Sequence, residues 1–287
     1  GFFRMKVGNL QYVDVVYPVG VQRGEQASIQ LLSASPGLAA TIDLTAATGS
    51  VQPLPIGAEG LFSGSRPFVV LSGHPEVIEE QVDGDAIQQV AAAPIAINGR
   101  LVETGERDRY QLAVTPGSKL RFDVVAQRIG SAIDGILTIK DTAGKQLGRN
   151  DDRGGTADPG LDLTVPGGVE QIMLEFENLQ RGGGPARVYR INIEDLGQPD
   201  FQLRLDTDHL SLPAGASQVI KLQVTRRGYN GPIELSAEGF PEGLSLSGTT
   251  IPAGSNISLL ALSSHSSDWS DIPLRIVGSG MQGQIVR

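Results

Sequence analysis

The chain contains no cysteine among its 287 residues, and this absence excludes several kinds of site. Disulfides, zinc–thiolate centres, iron–sulfur clusters and cysteine nucleophiles all require a thiol, so this chain cannot form any of them. The cellular compartment stays open, because exported proteins without cysteine are common.

Aromatic residues and long apolar runs are also scarce. Only 5% of the residues are aromatic, and no apolar run approaches the roughly 20 residues that span a bilayer. No membrane span is therefore expected. The chain begins at Gly1 without a charged segment followed by an apolar one, so we expect that a signal was removed or that this is part of a longer protein.

Basic residues are outnumbered by acidic ones, 23 Lys and Arg against 32 Asp and Glu. The net charge is −9 and the isoelectric point about 4.9, so the surface repels phosphate backbones and no nucleic-acid partner is expected. With 40% hydrophobic and 19% charged residues, the composition is that of a packed globular protein rather than a disordered one.

Alternation of apolar and polar residues with period two runs through the whole chain, while convincing helical periodicity is almost absent. Typical segments are "DRYQLAV", "KLRFDVVAQ" and "QVIKLQVTRR", separated by turn signals such as "TPGSK", "DTAGK" and "LPAGAS". Short strands with turns every 8 to 12 residues are typical of sandwiches and barrels. The sequence therefore predicts an all-β fold of tandem β-sandwich domains, immunoglobulin-like or jelly-roll-like.

Two stretches divide the chain into segments of about the size of one sandwich. The first is Pro75–Pro94, where Asp83-Gly84-Asp85 interrupts good helix formers, and the second is Glu194–Phe201, where Gly and Pro separate strand-rich regions. The predicted organisation is a sandwich in residues 1–75, a linker in 76–92, a second sandwich in 93–196 and a third in 197–287.

One loop is rich in aspartate. "GRNDDRGGTADPGLDL" (148–163) contains Asp151, Asp152, Asp158 and Asp162 between two predicted strands. Calcium takes six to eight oxygen ligands, which such a loop can help to supply, but its spacing does not fit an EF-hand. Asp and Asn also close turns through their own backbone. Both interpretations, a cation site and a plain polar loop, remain open.

Signals for catalysis are weak. The histidines His74, His209 and His265 lie in three different predicted segments, and neither G-x-S-x-G nor H-E-x-x-H is present. "SSHSSDW" places Ser, His and Asp side by side in sequence, which does not make a triad. We therefore expect no catalytic residues and no enzymatic activity.

Residues 93–194 carry a combination of short motifs that resembles the bacterial pre-peptidase C-terminal (PPC) domain, as found in large exported planctomycete proteins. The motifs are N-G-R at 98–100, R-D-R-Y at 107–110, P-G at 116–117, G-S-A-I-D at 130–134, I-K-D-T-A-G at 139–144 and N-D-D at 150–152. The flanks agree: 16–33 resembles the start of a TIG-type immunoglobulin-like module, and 199–254 resembles an exported bacterial immunoglobulin-like domain.

The resemblance implies a non-catalytic, exported accessory segment of a larger bacterial surface or secreted protein, acting as spacer and as binding or assembly module. Its partners would be other domains of the parent protein or an extracellular polymer or protein. The alternative is a carbohydrate- or collagen-type matrix-binding module attached to a secreted hydrolase. That module would need exposed aromatic side chains, for which the candidates are Tyr110, Tyr189, Tyr229 and Trp269.

The resemblance also implies a candidate cofactor, calcium. The family pattern points to Asp108, Asp134, Asp151 and Asp152 as its ligands. In calcium-binding relatives, carboxylates near the preceding linker help to hold the ion, where the family carries E-x-E-P-N-D. In the aligned stretch 79–84 the second Glu, the Pro and the Asn are replaced. For Asp108 and Tyr110 a structural role stays open, as a strand-start carboxylate and a packed aromatic whose hydroxyl reaches the backbone.

Overall fold

The computed structural model describes residues 11–33, 40–45, 51–54, 61–62, 67–80, 86–207, 210–238, 240–265, 275–281 and 285–286. The described residues are almost entirely strands and turns, which confirms the predicted all-β fold of tandem β-sandwiches. They divide into two compact units, Gly1–Leu196 and Gly197–Arg287. No helix in the described part of the chain is long and apolar enough to span a membrane.

The first sandwich is small. Its strands are β1 (Gln11–Tyr12), β2 (Val15–Tyr17), β3 (Gly20–Gln22), β4 (Gln26–Leu32), β5 (Ala40–Thr45), β6 (Val51–Pro53), β7 (Leu61–Phe62) and β8 (Phe68–Ser72). Two three-stranded sheets, β2-β4-β5 and β3-β8-β6, enclose its core. The alternation of Ile29 and Leu31 with polar neighbours buries one face of β4, as a half-solvated strand requires.

The middle sandwich has two five-stranded sheets, β10-β12-β17-β14-β15 and β16-β13-β18-β11-β9. Its strands are β9 (Glu76–Ile78), β10 (Gln88–Val90), β11 (Ile95–Arg100), β12 (Arg107–Ala113), β13 (Lys119–Val125), β14 (Gly135–Asp141), β15 (Gln146–Asn150), β16 (Gly160–Thr164), β17 (Gln171–Asn178) and β18 (Val188–Asp195). One 3-10 helix, Gln127–Ile129, follows β13. Inward side chains of both sheets, among them Phe122, Phe176 and Ile191, form the core.

The predicted linker, residues 76–92, requires a correction, because β9 and β10 both lie in it. β9 pairs in parallel with β11, and β10 pairs in parallel with β12, so each sheet gains an edge strand. Each strand has only three residues, too few for alternation to be recognised, and each is fixed by a partner distant in sequence. Residues 81–85 lie outside the described residues.

The second unit is a sandwich of two four-stranded sheets, β19-β20-β24-β22 and β23-β21-β25-β26. Its strands are β19 (Asp200–Leu205), β20 (Ser217–Arg227), β21 (Ile233–Glu238), β22 (Leu244–Ser247), β23 (Thr250–Ile251), β24 (Ile257–Ser264), β25 (Arg275–Gly280) and β26 (Ile285–Val286). Phe201, Leu222, Ile233 and Leu260 lie in its core. The alternation in β20 and β24 leaves one face of each strand in solvent.

Candidate functional site: an acidic cluster beside a buried seam

The first and middle sandwiches meet in a contact that we call the seam, formed by Tyr17 and Gly20 on one side and Glu76, Asn98 and Arg190 on the other. Asn98 is fully buried and joins both sides: its Oδ1 accepts from the Gly20 backbone N–H at 2.7 Å, and its Nδ2 donates to Glu76 Oε2 at 2.9 Å. The Tyr17 hydroxyl donates to the Asn98 carbonyl at 3.2 Å. These bonds compensate the burial of a polar amide.

A buried ion pair completes the seam. Arg190 and Glu76 each expose only 5% of their side chains, and Arg190 Nη2 lies 2.6 Å from Glu76 Oε1. Arg190 Nε donates to the other oxygen, Oε2, at 3.1 Å. A Cβ on Gly20 would lie 2.4 Å from Arg190 Nε, so only glycine lets the first sandwich approach this pair so closely.

Apolar contacts surround the polar ones. Val15, Tyr17 and Val19 of the first sandwich form one buried cluster with Val188 of the middle sandwich. The guanidinium carbon of Arg100 lies 4.3 Å from the Tyr17 ring centroid, a cation–π distance. The seam is therefore packed like an interior, and it holds the two sandwiches as one compact unit.

Each residue of the N-G-R motif at 98–100 has a structural role in or next to the seam. Asn98 bonds across the seam and Arg100 covers Tyr17. A Cβ on Gly99 would lie 2.3 Å from the hydroxyl oxygen of Tyr189, so glycine makes room for a buried tyrosine.

Beside the seam, three carboxylates converge: Glu79, Glu106 and Asp108, which we call the acidic cluster. One oxygen of each lies within 4.8 Å of the others. Glu79 follows β9, whereas Glu106 and Asp108 stand at the start of β12. Asp108 is only 7% exposed, and the other two are half-buried. The edge pairing of β9 brings Glu79 to this place.

Ionising all three carboxyl groups of the acidic cluster at once is costly in free energy. Burial, and after it the charge of the neighbouring Glu79, raise the pKa of Asp108 to about 9. Burial also raises the pKa of Glu79, although the Arg100 backbone N–H opposes this by donating to Glu79 Oε2 at 2.6 Å. At neutral pH the cluster therefore keeps a proton on Asp108 or needs a cation to replace it.

Two tyrosines connect Asp108 to the core. The Tyr189 hydroxyl donates to Asp108 Oδ2, and the Tyr110 and Tyr189 hydroxyl oxygens lie 2.6 Å apart. Burial raises the pKa of both tyrosines well above its ordinary value. The Tyr110 hydroxyl thus meets another side chain rather than the backbone, and both rings are packed.

The aromatic candidates for a polymer-binding surface are mostly inside the protein. Tyr110 and Tyr189 are 1% and 0% exposed, and Tyr229 is 9% exposed with its hydroxyl donating to the Pro232 carbonyl at 2.5 Å. Trp269 lies outside the described residues. The prediction that the three tyrosines could form an exposed binding face is wrong, because they fill cores.

Of the four predicted calcium ligands, only Asp108 belongs to the acidic cluster. Asp134 shapes a turn instead: its N–H donates to Asn178 Oδ1 at 3.2 Å and its carbonyl accepts from Leu179 N–H at 2.7 Å. Asp151 is half-buried and Asp152 exposed in the turn after β15. The structure thus does not gather the predicted set.

The aspartate-rich loop is organised by its own polar bonds. Asp158 is 1% exposed, and its carboxylate accepts from the backbone N–H groups of Ala126, Gln127 and Arg128, and from Arg128 Nε. It therefore caps the 3-10 helix Gln127–Ile129. Asp162 forms a two-pronged pair with Arg121 on the surface. For these two residues a structural role accounts for the contacts.

The histidines of the described part show no partner suited to nucleophilic catalysis. His74 Nε2 lies 2.9 Å from Asn192 Oδ1, an amide, and burial lowers the pKa of His74. The His265 backbone N–H donates to the Gly243 carbonyl. His209 lies outside the described residues. A cavity between the first sandwich and Ile129, lined by none of the five residues that define the seam, measures about 30 Å³, against roughly 300–1,000 Å³ for small-molecule sites.

No family model matches the chain, and no curated protein matches its sequence. Among solved structures, the chain is similar to the pre-peptidase C-terminal domain of a collagenase from Bacillus anthracis, with 11% identity and a TM-score of 0.32 over 40% of this chain and 100% of that one. It is also similar to PliG, a periplasmic inhibitor of g-type lysozyme from Aeromonas hydrophila, with 11% identity and a TM-score of 0.24 over 38% and 100%. Likenesses this low carry no inference about function.

Proposed function

We propose that the chain is a non-catalytic structural segment of an exported protein, a spacer that fixes the orientation of neighbouring modules and offers their surfaces for binding or assembly. The seam carries this proposal. A flexible tether between sandwiches would need no buried ion pair, yet Glu76 and Arg190 are both enclosed where the sandwiches meet. Such a joint transmits orientation from one module to the next.

Two further observations support the proposal. The cavity beside Ile129 is far too small for a substrate, and His74 faces an amide rather than a nucleophile. Export is supported by the sequence motifs of residues 93–194 that resemble a PPC domain. A broad screen for hydrolase activity should therefore find no turnover by the full chain, and reproducible turnover would contradict the non-catalytic part of the proposal.

The spacer role can be tested by distance measurements, and the lack of cysteine makes labelling simple. Glu25→Cys in the first sandwich and Lys145→Cys in the middle sandwich are both exposed positions. Single-molecule energy transfer between dyes at these sites should give one narrow distance distribution in the full chain. A broad distribution would show a flexible joint and would overturn the proposal.

A variant of the seam sharpens this test. Asn98→Ala removes the bonds to Gly20 and Glu76 and should broaden the distance distribution. Asn150→Ala is the matched control, because Asn150 accepts from Gly160 within the middle sandwich and has no part in the seam. The control should keep the narrow distribution.

We further propose that the acidic cluster binds calcium and thereby stiffens the segment beside the seam. Glu79, Glu106 and Asp108 are oxygen donors of the type that calcium prefers, and a divalent cation would offset the burial and the repulsion that keep a proton on Asp108. These three residues would supply part of the coordination shell, and water or other oxygens the rest. Asp134, Asp151 and Asp152 have no role in this version of the site.

Calcium binding is tested by thermal unfolding of the full chain in calcium, in magnesium and in EDTA. We expect calcium to raise the first-unit midpoint, because a ligand that binds only the folded state stabilises it. Glu106→Gln should abolish the rise, whereas Asp152→Asn should keep it. A midpoint indifferent to chelation would remove the calcium proposal and leave the spacer proposal untouched.

A further inference from the structure

The second unit exposes aliphatic side chains on one sheet. The solvent-facing side of β19-β20-β24-β22, which we call the outer face, carries Val219, Leu259 and Ile257, which are 62%, 61% and 53% exposed. Their sequence neighbours Ile220 and Leu260 point the other way, into the core. Large aliphatic side chains side by side on an open sheet mark a contact surface more often than scattered ones do.

The pairing of the strands places charged residues beside the aliphatic ones in two adjacent rows. One row runs Asp206, Lys221, Leu259, and the next runs Arg204, Gln223, Ile257. Asp206 is one residue beyond β19, but its N–H donates to the Lys221 carbonyl at 3.1 Å, so it continues the register. Each row therefore crosses three strands, from a charged edge to an aliphatic centre.

These rows are complementary to each other. Consider a second copy that stacks its outer face on the first. If the two-fold axis lies midway between the rows and runs perpendicular to the strands, each row of one copy faces the other row of the second copy. Asp206 of one copy then faces Arg204 of the other, Lys221 faces Gln223, and Leu259 faces Ile257. Opposite charges and apolar side chains meet twice, as a two-fold interface requires. The strands of the two faces run antiparallel, close to the aligned packing of stacked sheets.

We propose that the outer face mediates reversible dimerisation of this chain in solution. Arg204 and Lys221 form no ion pair within the described residues, whereas Arg227 and Arg275 of the same unit pair with Asp200 and Glu238. In a protein of net charge −9, two unpaired cations beside an aliphatic patch favour a partner surface that offers a carboxylate there. In the two-fold arrangement the second copy places such a carboxylate, Asp206, opposite Arg204.

The size of the outer face predicts a weak association. Four strands that lie about 4.8 Å apart, each about seven residues long with a rise of about 3.4 Å per residue, give the outer face an area of roughly 500 Å² per copy. A standard stable interface buries about 800 Å² per partner, so the dimer belongs to the weak, transient class. It should form only at high protein concentration or where the parent protein is crowded.

The experiment is sedimentation velocity on the full chain from about 10 µM to about 1 mM, a range suited to weak complexes. The wild type should move from monomer towards dimer as concentration rises. Leu259→Ser and Arg204→Asp should each weaken the dimer at least about tenfold, which is the effect of losing a central contact or opposing two carboxylates. Thermal unfolding verifies that the variants fold.

Charge reversal gives the decisive comparison. The double variant Arg204→Asp with Asp206→Arg restores opposite charges across the two-fold axis, so it should regain dimerisation that Arg204→Asp loses. Lys145→Asp changes the net charge equally at an exposed position in the other unit, and Leu179→Ser removes an exposed leucine there; both should dimerise as the wild type does. A constant monomer mass, an open-ended polymer, or a double variant no better than Arg204→Asp would each overturn the proposal.

Discussion

The seam and the outer face depart from the usual distribution of residues in opposite ways. The seam buries an arginine, a glutamate and an asparagine, whereas the outer face leaves valine, leucine and isoleucine in water. In the seam, the buried charges of Arg190 and Glu76 are paired with each other within the same compact unit, and Asn98 donates to Glu76. On the outer face, the aliphatic side chains have no such cover among the described residues. The buried polar groups of the seam are paired within the chain, whereas the exposed aliphatic side chains of the outer face indicate contact with another molecule.

The largest effect is expected where the seam is broken. Arg190→Met leaves the Glu76 carboxylate buried without its cation and should lower the free energy of unfolding of the first unit by about 3–5 kcal/mol. Urea unfolding of the full chain measures this loss. The side chain of methionine fills most of the space, so the cost reports the charge rather than a cavity.

The control for that loss is an ion pair of similar geometry in solvent. Arg121 pairs with Asp162 at 2.7 Å, but these side chains are 36% and 52% exposed. Arg121→Met should therefore cost less than about 1 kcal/mol. Equal losses for Arg190→Met and Arg121→Met would contradict the view that burial in the seam sets the energy.

A somewhat smaller effect is expected in the aspartate-rich loop. Asp158→Ala leaves three backbone N–H groups of the 3-10 turn without their acceptor and should cost about 2–4 kcal/mol. Asp152→Ala, six residues earlier and exposed, should change stability by less than about 0.5 kcal/mol. Similar losses at both positions would mean that the loop depends on its charge rather than on this cap.

The same loop shows what sequence could and could not predict. Period-two alternation indicated the strands around it, because each strand buries one face whatever its partners are. The sequence could not distinguish Asp158 from Asp151 or Asp152, because the N–H groups that Asp158 accepts lie about 30 residues earlier in the chain. A tertiary contact, and not the local pattern, decides which aspartate is structural.

The acidic cluster teaches the same lesson for the candidate site. The family pattern points to Asp108 as a ligand, but the set predicted from it does not include Glu79 and Glu106. The signal that could have found Glu79 was its place at the first Glu of the aligned linker motif. Its approach to Asp108 depends on β9 pairing with β11, which a three-residue segment does not reveal. Family position was therefore a better guide here than periodicity.

The acidic cluster should make the seam region sensitive to pH in calcium-free buffer with EDTA. Because the pKa of Asp108 is about 9 in the folded protein and near 4 in the unfolded chain, unfolding releases a proton between these values. Stability should therefore fall as pH rises from about 4 to about 9, because the folded protein binds more protons than the unfolded chain does over this range. Urea unfolding at pH 5 and pH 8 measures the slope.

Asp108→Asn provides the comparison for this slope, because the amide cannot ionise and can still accept from Tyr189. The variant should lose less stability between pH 5 and pH 8 than the wild type does. Asp134→Asn, outside the acidic cluster, should keep the wild-type slope. An unchanged slope in Asp108→Asn would assign the pH dependence to other groups.

The smallest effect is expected at Leu259 on the outer face, and its neighbour Leu260, whose side chain points into the core, provides the comparison. Leu259 is 61% exposed and Leu260 is 0% exposed, although both lie in β24. Leu259→Ser should change the unfolding free energy measured at low protein concentration by less than about 0.5 kcal/mol, whereas Leu260→Ala should cost about 2–5 kcal/mol. A large loss for Leu259→Ser would mean that this leucine serves the fold of the monomer. A negligible loss, together with a smaller dimer fraction in sedimentation velocity, would show that Leu259 serves contact between copies, because the fold of the monomer then does not depend on it.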